Sequence, residues 1–458
     1  MKMQNIALSW DQFDSCRAKA DSSARQQAFS THRVNSKYMR AVLTTIFLTC
    51  SLSAQSLDDK IAQIAKSLQP LLVECRRDIH MHPELSNNEV RTGKLIVEKL
   101  RALGLEDIKP NIAGNGVTAL LKGAKPGPVV AWRADMDALP IDESTFSAPY
   151  KSTVKGVKHA CGHDAHTTIG LGIAETLNQL KSEIPGTIKF IFQPAEEGVS
   201  GVTEYGARLM IKEGALENPK PNAIFAFHVA SNVPTGKIAY TDNAASSAST
   251  GISITFKGRR AHGAYPYQGI DAVAVASQCI LALQTIHSRR IDTVNPSVFT
   301  LGTIHGGDRR NVIAETISLT GTLRTFSESI TDQYEKMIRQ TLDGCTSAMS
   351  ASYELGFKRG NLPMLNSPAL NKAALPVIDK ALGPNAALSQ GPGLFGEDFS
   401  AYQRVIPGTM FFLGISNPAK GITAGLHTAE FDIDEDALSI GVNAGSKILL
   451  DYLTRNAK

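Results

Sequence analysis

The stretch His159-Ala160-Cys161-Gly162-His163-Asp164-Ala165-His166 packs three imidazoles, a thiol and a carboxyl into a few positions of a chain that has only 11 histidines. Thiolate and imidazole together suit a zinc-like transition ion. Helical sequence begins near Thr167, so Cys161 stands at the positive end of a helix dipole, which favours thiolate. A second candidate is Gln193-Pro194-Ala195-Glu196-Glu197-Gly198. Adjacent carboxylates repel unless a cation lies beside them. A metal site resolves this by taking one as ligand and leaving the other to handle protons. Alone, an acidic pair is weak evidence, because most such pairs are solvated surface; Asp135-Met136-Asp137, His228 and His427 supply the context.

These residues share one relation to the elements that must hold them. Segments 129–134, 187–192 and 223–227 read as buried strands, and 168–180 and 207–212 as helices. Such alternation predicts an α/β layer with a mostly parallel sheet. Asp135/Asp137, Glu196/Glu197 and His228 are each expected just past the C-terminal end of a strand, the edge where open α/β sheets bind ligands. His427 follows a strand at 409–414 by about a dozen residues. Upstream, Ser86-Asn87-Asn88-Glu89 has capping-box spacing, and Val90, Ile96, Leu100 and Leu103 mark one face of a helix that Gly104 stops.

Near residue 245 the pattern changes. Residues 243–250 are small and polar and read as a hinge. Strand 251–257, helix 271–288, strands 297–304 and 315–325, helix 330–349 and strand 351–358 then give the β-α-β-β-α-β order of a ferredoxin-like unit. Helix 369–382, strand 409–414 and helix 434–453 return to the first style. The expected plan is a catalytic domain of residues 56–248 and 362–458, interrupted by an α+β insert, 249–361.

Residues 1–55 differ in kind. Segment 1–38 is Ser- and Arg-rich and is expected to be disordered. Met39-Arg40, an apolar run over 41–52 and small residues up to Ala54 form the layout of a secretory signal peptide, cleaved near Ala54 to Ser56. We therefore expect translation to start at Met39 and the product to be exported, periplasmic or extracellular. The run falls short of the roughly 20 apolar residues of a membrane span. With 43% hydrophobic and 20% charged residues and a net charge of +4, the rest reads as an ordinary globular chain, with no basic run to suggest a nucleic-acid or membrane-surface partner. Of the six cysteines two fall in the leader and the remaining four show no paired spacing, so no disulfide framework is expected.

The runs 133–140 (RADMDALP), 159–166 (HACGHDAH), 192–198 (FQPAEEG), Phe227-His228, 396–400 (GEDFS) and Leu426-His427 occur in this order. Together they resemble the aminoacylase, hippurate hydrolase and auxin-conjugate amidohydrolase family of dinuclear metallopeptidases, over roughly residues 70 to 453. That resemblance implies two divalent metal ions, zinc or manganese first, with cobalt and nickel also compatible. The implied ligands are Cys161, His163, Glu197, His228 and His427. It implies a metal-bound water nucleophile with Glu196 as general base, and Asp137 orienting a ligand. It makes the insert a lid through which two copies dimerise. His262 would then stabilise the oxyanion across the dimer, while Asn311 and Arg324 would hold substrate polar atoms. The implied reaction is hydrolysis of N-acyl amino acids. A dipeptidase or carboxypeptidase on the same fold, a cysteine hydrolase using Cys161, and a non-catalytic metal-binding protein are the alternatives. His80 and His82 are read as structural. Ala314-Glu315 and Arg260-Ala261 depart from the family's usual residues near the lid.

Overall fold

The computed structural model describes residues 55–199 and 201–457. Almost all of the expected leader therefore lies outside the described residues. The chain begins with α1 (Leu57–Ser67), α2 (Gln69–Met81) and α3 (Val90–Ala102), then β1 (Glu106–Ile112), β2 (Gly116–Lys122), β3 (Lys125–Asp135), α4 (His163–Asn178), β4 (Pro185–Gln193), α5 (Gly206–Lys212), β5 (Ala223–Pro234) and β6 (Ile238–Tyr240). Next come β7 (Asn243–Ser246), β8 (Ala248–Lys257), β9 (Ala261–His262), α6 (Ala272–Arg290), β10 (Ser297–Gly306), β11 (Val312–Ile313), β12 (Thr316–Thr325), α7 (Glu328–Ala348) and β13 (Ser352–Arg359). The last elements are β14 (Met364–Asn366), α8 (Pro368–Leu382), β15 (Ala387–Ser389), α9 (Phe399–Gln403), β16 (Gly408–Ser416) and α10 (Asp436–Asn456).

The large sheet has the order β1-β2-β4-β3-β5-β16-β6-β15, and its four central strands β4, β3, β5 and β16 are parallel. The fold is thus mixed α/β around a large, mostly parallel sheet. Both faces are buried, as a parallel sheet requires. Strand alternation decides which side chains go where. Trp132, Ala134, Phe190, Phe192, Phe225 and Phe227 point into the core beneath α4 and α10. Ala131, Ile191, Ile224 and Ala226 point the other way, toward α5 and α9. By the same period of two, Arg133, Asp135, Gln193 and His228 fall on that second face.

A second sheet, β10-β12-β8-β13, is antiparallel throughout and follows the β-α-β-β-α-β chain order. Its strands alternate. Ile252, Ile254, Phe256, Ile317, Leu319 and Leu323 pack under α6 and α7, while the opposite face is open.

Residues 243–250, read as a hinge of small polar residues, are β7 and the start of β8, with Ser246, Ser247 and Thr250 buried. Three local expectations need correction. Ser86 and Glu89 do not make a capping box. The first turn of α3 is capped instead by Glu84, whose carboxylate accepts from the amides of Arg91 and Thr92 at 2.9 and 2.8 Å. Val90 is half exposed, and the buried face of α3 runs through Thr92, Gly93, Ile96, Val97 and Leu100. Finally, Cys279 and Cys345 form a disulfide between α6 and α7, with Cα atoms 5.7 Å apart. They lie 66 residues apart in the chain, so no spacing rule signals a pairing that helix packing creates. Cys75 and Cys161 are free.

Candidate metal centre

Asp135 is the last residue of β3 and Asp137 lies two beyond it; Glu196 and Glu197 follow the end of β4. His228 departs from the expected position. It lies inside β5, opposite Phe412 of β16, because that strand runs on to Pro234. Its ring still reaches the same edge, since it shares the face of Arg133 and Asp135.

Cys161 sits two residues before α4, and Gly162 between them adopts φ +83°. A Cβ there would meet Val229 Cγ2 at 2.4 Å, so both the left-handed turn and the close approach require glycine. The Cys161 Sγ lies 3.5 Å from His228 Nε2 and 3.3 Å from His427 Nε2. His427 arrives from the loop after β16, tied down by its amide donating to the Ala160 carbonyl at 2.8 Å. Two groups of potential ligands share the thiol. Cys161, His163 and His228 form one; Cys161, Glu197 and His427 form the other. All five residues implied as ligands therefore converge on one edge.

The second nitrogen of each ring tells which can ligate. The His228 Nδ1 faces its own Val229 carbonyl at 2.8 Å, so Nδ1 carries the hydrogen and Nε2 offers a lone pair toward Cys161. The His163 Nδ1 lies 3.1 Å from Asp137 Oδ1, and its buried Nε2 has no hydrogen-bond partner among the described residues. Glu197 Oε1 is likewise buried; it lies 3.3 Å from His427 Nε2 without the alignment of a hydrogen bond. His166 differs: its Nε2 accepts from the Val229 amide at 2.8 Å and its Nδ1 meets Asp135 at 2.6 Å. Both nitrogens are used, so His166 is a spacer. Orphaned polar atoms of this kind are costly unless something binds them. A thiol, three imidazoles and a carboxylate that converge with free lone pairs fit divalent transition ions.

The electrostatics agree. Burial raises the Cys161 thiol, but His228 and His163 outweigh it and bring it down to about 6. Burial lowers His228, yet Cys161 carries it up to about 9. Contacts with Cys161 and Glu197 raise His427 to about 10. Without a cation the imidazoles must hold protons against this negative charge.

Glu196 lies beside this ligand set, its carboxylate within 4.8 Å of donor atoms of His163 and Glu197 in one group and of Glu397 and Asp398 in another. It is buried, and its Oε1 accepts from the Asp398 amide at 3.3 Å. Burial, then Glu397, Asp398 and Glu197, push its proton affinity well above the usual carboxylate range. Sequence reasoning quoted the runs containing Arg133 and Glu397-Asp398 without giving them roles. Arg133, fully buried, donates to Gln193 at 2.9 Å, to Glu397 and Asp398 at 3.0 Å each, and to Asp135. It fastens the 396–400 loop to the ends of β3 and β4. The missed signal was an arginine in a buried strand, which must have acidic partners. His80 joins a separate buried network with Arg76, Asp164 and Glu143. His82 Nδ1 faces the Asp78 carbonyl at 2.8 Å and the Asp78 carboxylate at 3.4 Å.

A cleft of about 850 Å³ opens over the edge, bordered by Glu196, Glu197, Arg324, Asn361, Phe395 and Leu426 among others. Arg324 has no side-chain partner among the described residues. A Cβ on Gly396 would lie 3.6 Å from Arg324 Nη1, 3.7 Å from Asn361 Nδ2 and 4.0 Å from Ser249 Oγ, so three donors converge over that glycine. Asn361 carried no motif and was not singled out. His262 and Asn311 do not come to this cleft. Both are exposed, on β9 and just before β11, which pair beyond the far end of β8. Ser249 borders the cleft and Lys257 closes the same strand. At about 3.3 Å per residue, that end is roughly 25 Å away.

A sequence profile described as Peptidase family M20/M25/M40 matches residues 131–451. Thermostable carboxypeptidase 1 of Saccharolobus solfataricus is 34% identical over 396 residues, 86% of this chain and 98% of that protein. N-acetyldiaminopimelate deacetylase of Enterococcus faecalis is 34% identical over 383 residues, covering 83% and 97%. Among solved structures, the Bacillus subtilis YXEP protein, described as a dinuclear metal binding peptidase, superposes with a TM-score of 0.73 at 32% identity, covering 85% of this chain and 99% of that one. With its ligand set gathered and a carboxypeptidase, a deacetylase and a dinuclear metal binding peptidase among its relatives, this chain belongs to peptidase family M20/M25/M40 and is a metal-dependent hydrolase.

Proposed function

We propose that the chain hydrolyses the amide bond of N-acyl amino acids, with two divalent ions per subunit held by Cys161, His163, His228, Glu197 and His427. Those ions, zinc or manganese, would polarise the amide carbonyl and make water acidic enough to attack near neutral pH. The chain's own residues do the rest. Glu196 takes a proton from water as its oxygen adds to the carbonyl carbon. The C–N bond then breaks, and Glu196 passes that proton to the leaving nitrogen, releasing a carboxylate and a free amino acid. Asp137 accepts from Ser86 and the Glu197 amide and holds His163, so one carboxylate orients two ligands. Arg324 and Asn361 grip the substrate's α-carboxylate.

The observation that carries this reading is a buried Glu196 with Glu397 and Asp398 on one side and a five-donor ligand set on the other. The naming of relatives as a carboxypeptidase and as a deacetylase favours one second reading, a carboxypeptidase, whose substrate carries the same carboxylate. Glu196→Gln is the test. We expect full metal content and a fall in kcat of about 10³-fold or more. Unchanged hydrolysis would remove Glu196 from the mechanism.

The four-stranded unit would act as lid and dimer contact. Its edge strand β10 is unpaired on one side, and Val298 and Ile304 on it are exposed, as is Leu281 on α6. His262 and Asn311, too far from their own cleft, would serve that of a second copy. Export of the chain is part of the same proposal and rests on residues 39–56.

A further inference from the structure

We propose that Glu89 is a positioning residue, whose carboxylate clamps the turn that aims Glu196 and Glu197. Glu89 is fully buried. Its Oε1 accepts from the Asn87 amide at 3.0 Å and from the Ala195 amide at 2.8 Å, and its Oε2 accepts from Asn115 Nδ2 at 3.2 Å. Ala195 has φ +55°, a left-handed conformation that a residue with a Cβ adopts only when its surroundings hold it there. That one turn sends Glu196 toward Asp398 and Glu197 toward His427.

The clamp has two jaws from one short loop. Glu89 takes the Ala195 amide directly. Ser86, three residues earlier, donates to Asp137 Oδ2 at 2.7 Å, and the same oxygen accepts the Glu197 amide at 3.0 Å. The Pro194–Ala195 and Glu196–Glu197 peptide groups, which bracket the Ala195 turn and Glu196, are therefore both tied to the loop before α3. The Ser86/Glu89 pair has the spacing of a helix cap, and the fold spends it on the site instead. Removing one jaw would free the turn without touching any ligand side chain.

This proposal rests on Glu196 acting as base, and its test reads the two separately. Glu89→Ala and Glu89→Gln would be compared for kcat, KM, bound zinc and amide hydrogen exchange over residues 193–198. In Glu89→Ala, exchange there should rise about tenfold or more, the scale of one lost buried hydrogen bond. In the same variant kcat should fall by about 10²-fold, with KM changed less than about threefold and zinc retained. Glu89→Gln keeps an acceptor for the Ala195 amide and should restore most of both. Unchanged exchange in Glu89→Ala would overturn the clamp. So would equal loss in both variants together with loss of zinc, the signature of a merely structural carboxylate. Faster exchange with unchanged kcat would overturn Glu89 as a positioning residue, whereas the failure of Glu196 as base would show in Glu196→Gln and not here.

Discussion

The large sheet and the four-stranded unit are both built on alternating strands, yet they use their polar residues in opposite ways. At the C-terminal edge of the large sheet, Arg133, Asp135, Asp137, His163, His166 and Glu397 are buried, each bonded to another of them. In the four-stranded unit one face is apolar under α6 and α7, and the polar residues His262 and Asn311 stand exposed at its tip. Buried polar groups must be satisfied, so each geometry in the first region is over-determined. Exposed ones are free to meet something that arrives. The first region is built to hold a reaction still, and the second to reach a substrate or a second copy.

Three experiments would break or sharpen that contrast. Removing metal should have the largest effect. Chelation followed by desalting should take hydrolysis below about 1% of its starting value, with recovery on adding zinc or manganese. Activity indifferent to chelator but abolished by thiol alkylation would move the chemistry to Cys161 alone. A smaller effect is expected where the two regions meet. Arg324→Ala should raise KM by about 10- to 100-fold, the worth of a charged hydrogen bond, with kcat changed by less than about threefold. The same shift should appear for wild type when the substrate's carboxylate is replaced by an amide. A kcat loss without a KM change would place Arg324 in the first region's role. The smallest effect on turnover belongs to the disulfide. Cys279→Ser with Cys345→Ser should cost about 2–4 kcal/mol of stability, read as a lower Tm, with kcat unchanged. A large fall in kcat would mean that the rigidity of the four-stranded unit reaches the site.

Much of the fold and site could be read in residue order. Strand and helix periodicity marked the central strands and most of the large helices, because alternation of two and of 3.6 is local and set by which face is buried; α1, α2, β1 and β2 were not singled out. The ligand types were legible for a similar reason: a thiol, imidazoles and paired carboxylates in the runs 159–166 and 193–198 have few common uses together. His228 was placed past the end of its strand because a sequence does not mark where a buried strand stops when its last residues remain apolar, as Val229, Ala230 and Val233 do.

What residue order alone determined here is the donor inventory and the side of each element on which it lies, since both follow from covalent neighbours. Only the tertiary structure decided the partners. Arg133 meets Glu397 across 264 positions, Cys279 meets Cys345 across 66, and Glu89, just ahead of α3, holds Ala195. Each is a contact between elements, chosen by how layers pack, and the same side chains could locally have capped a helix or faced water.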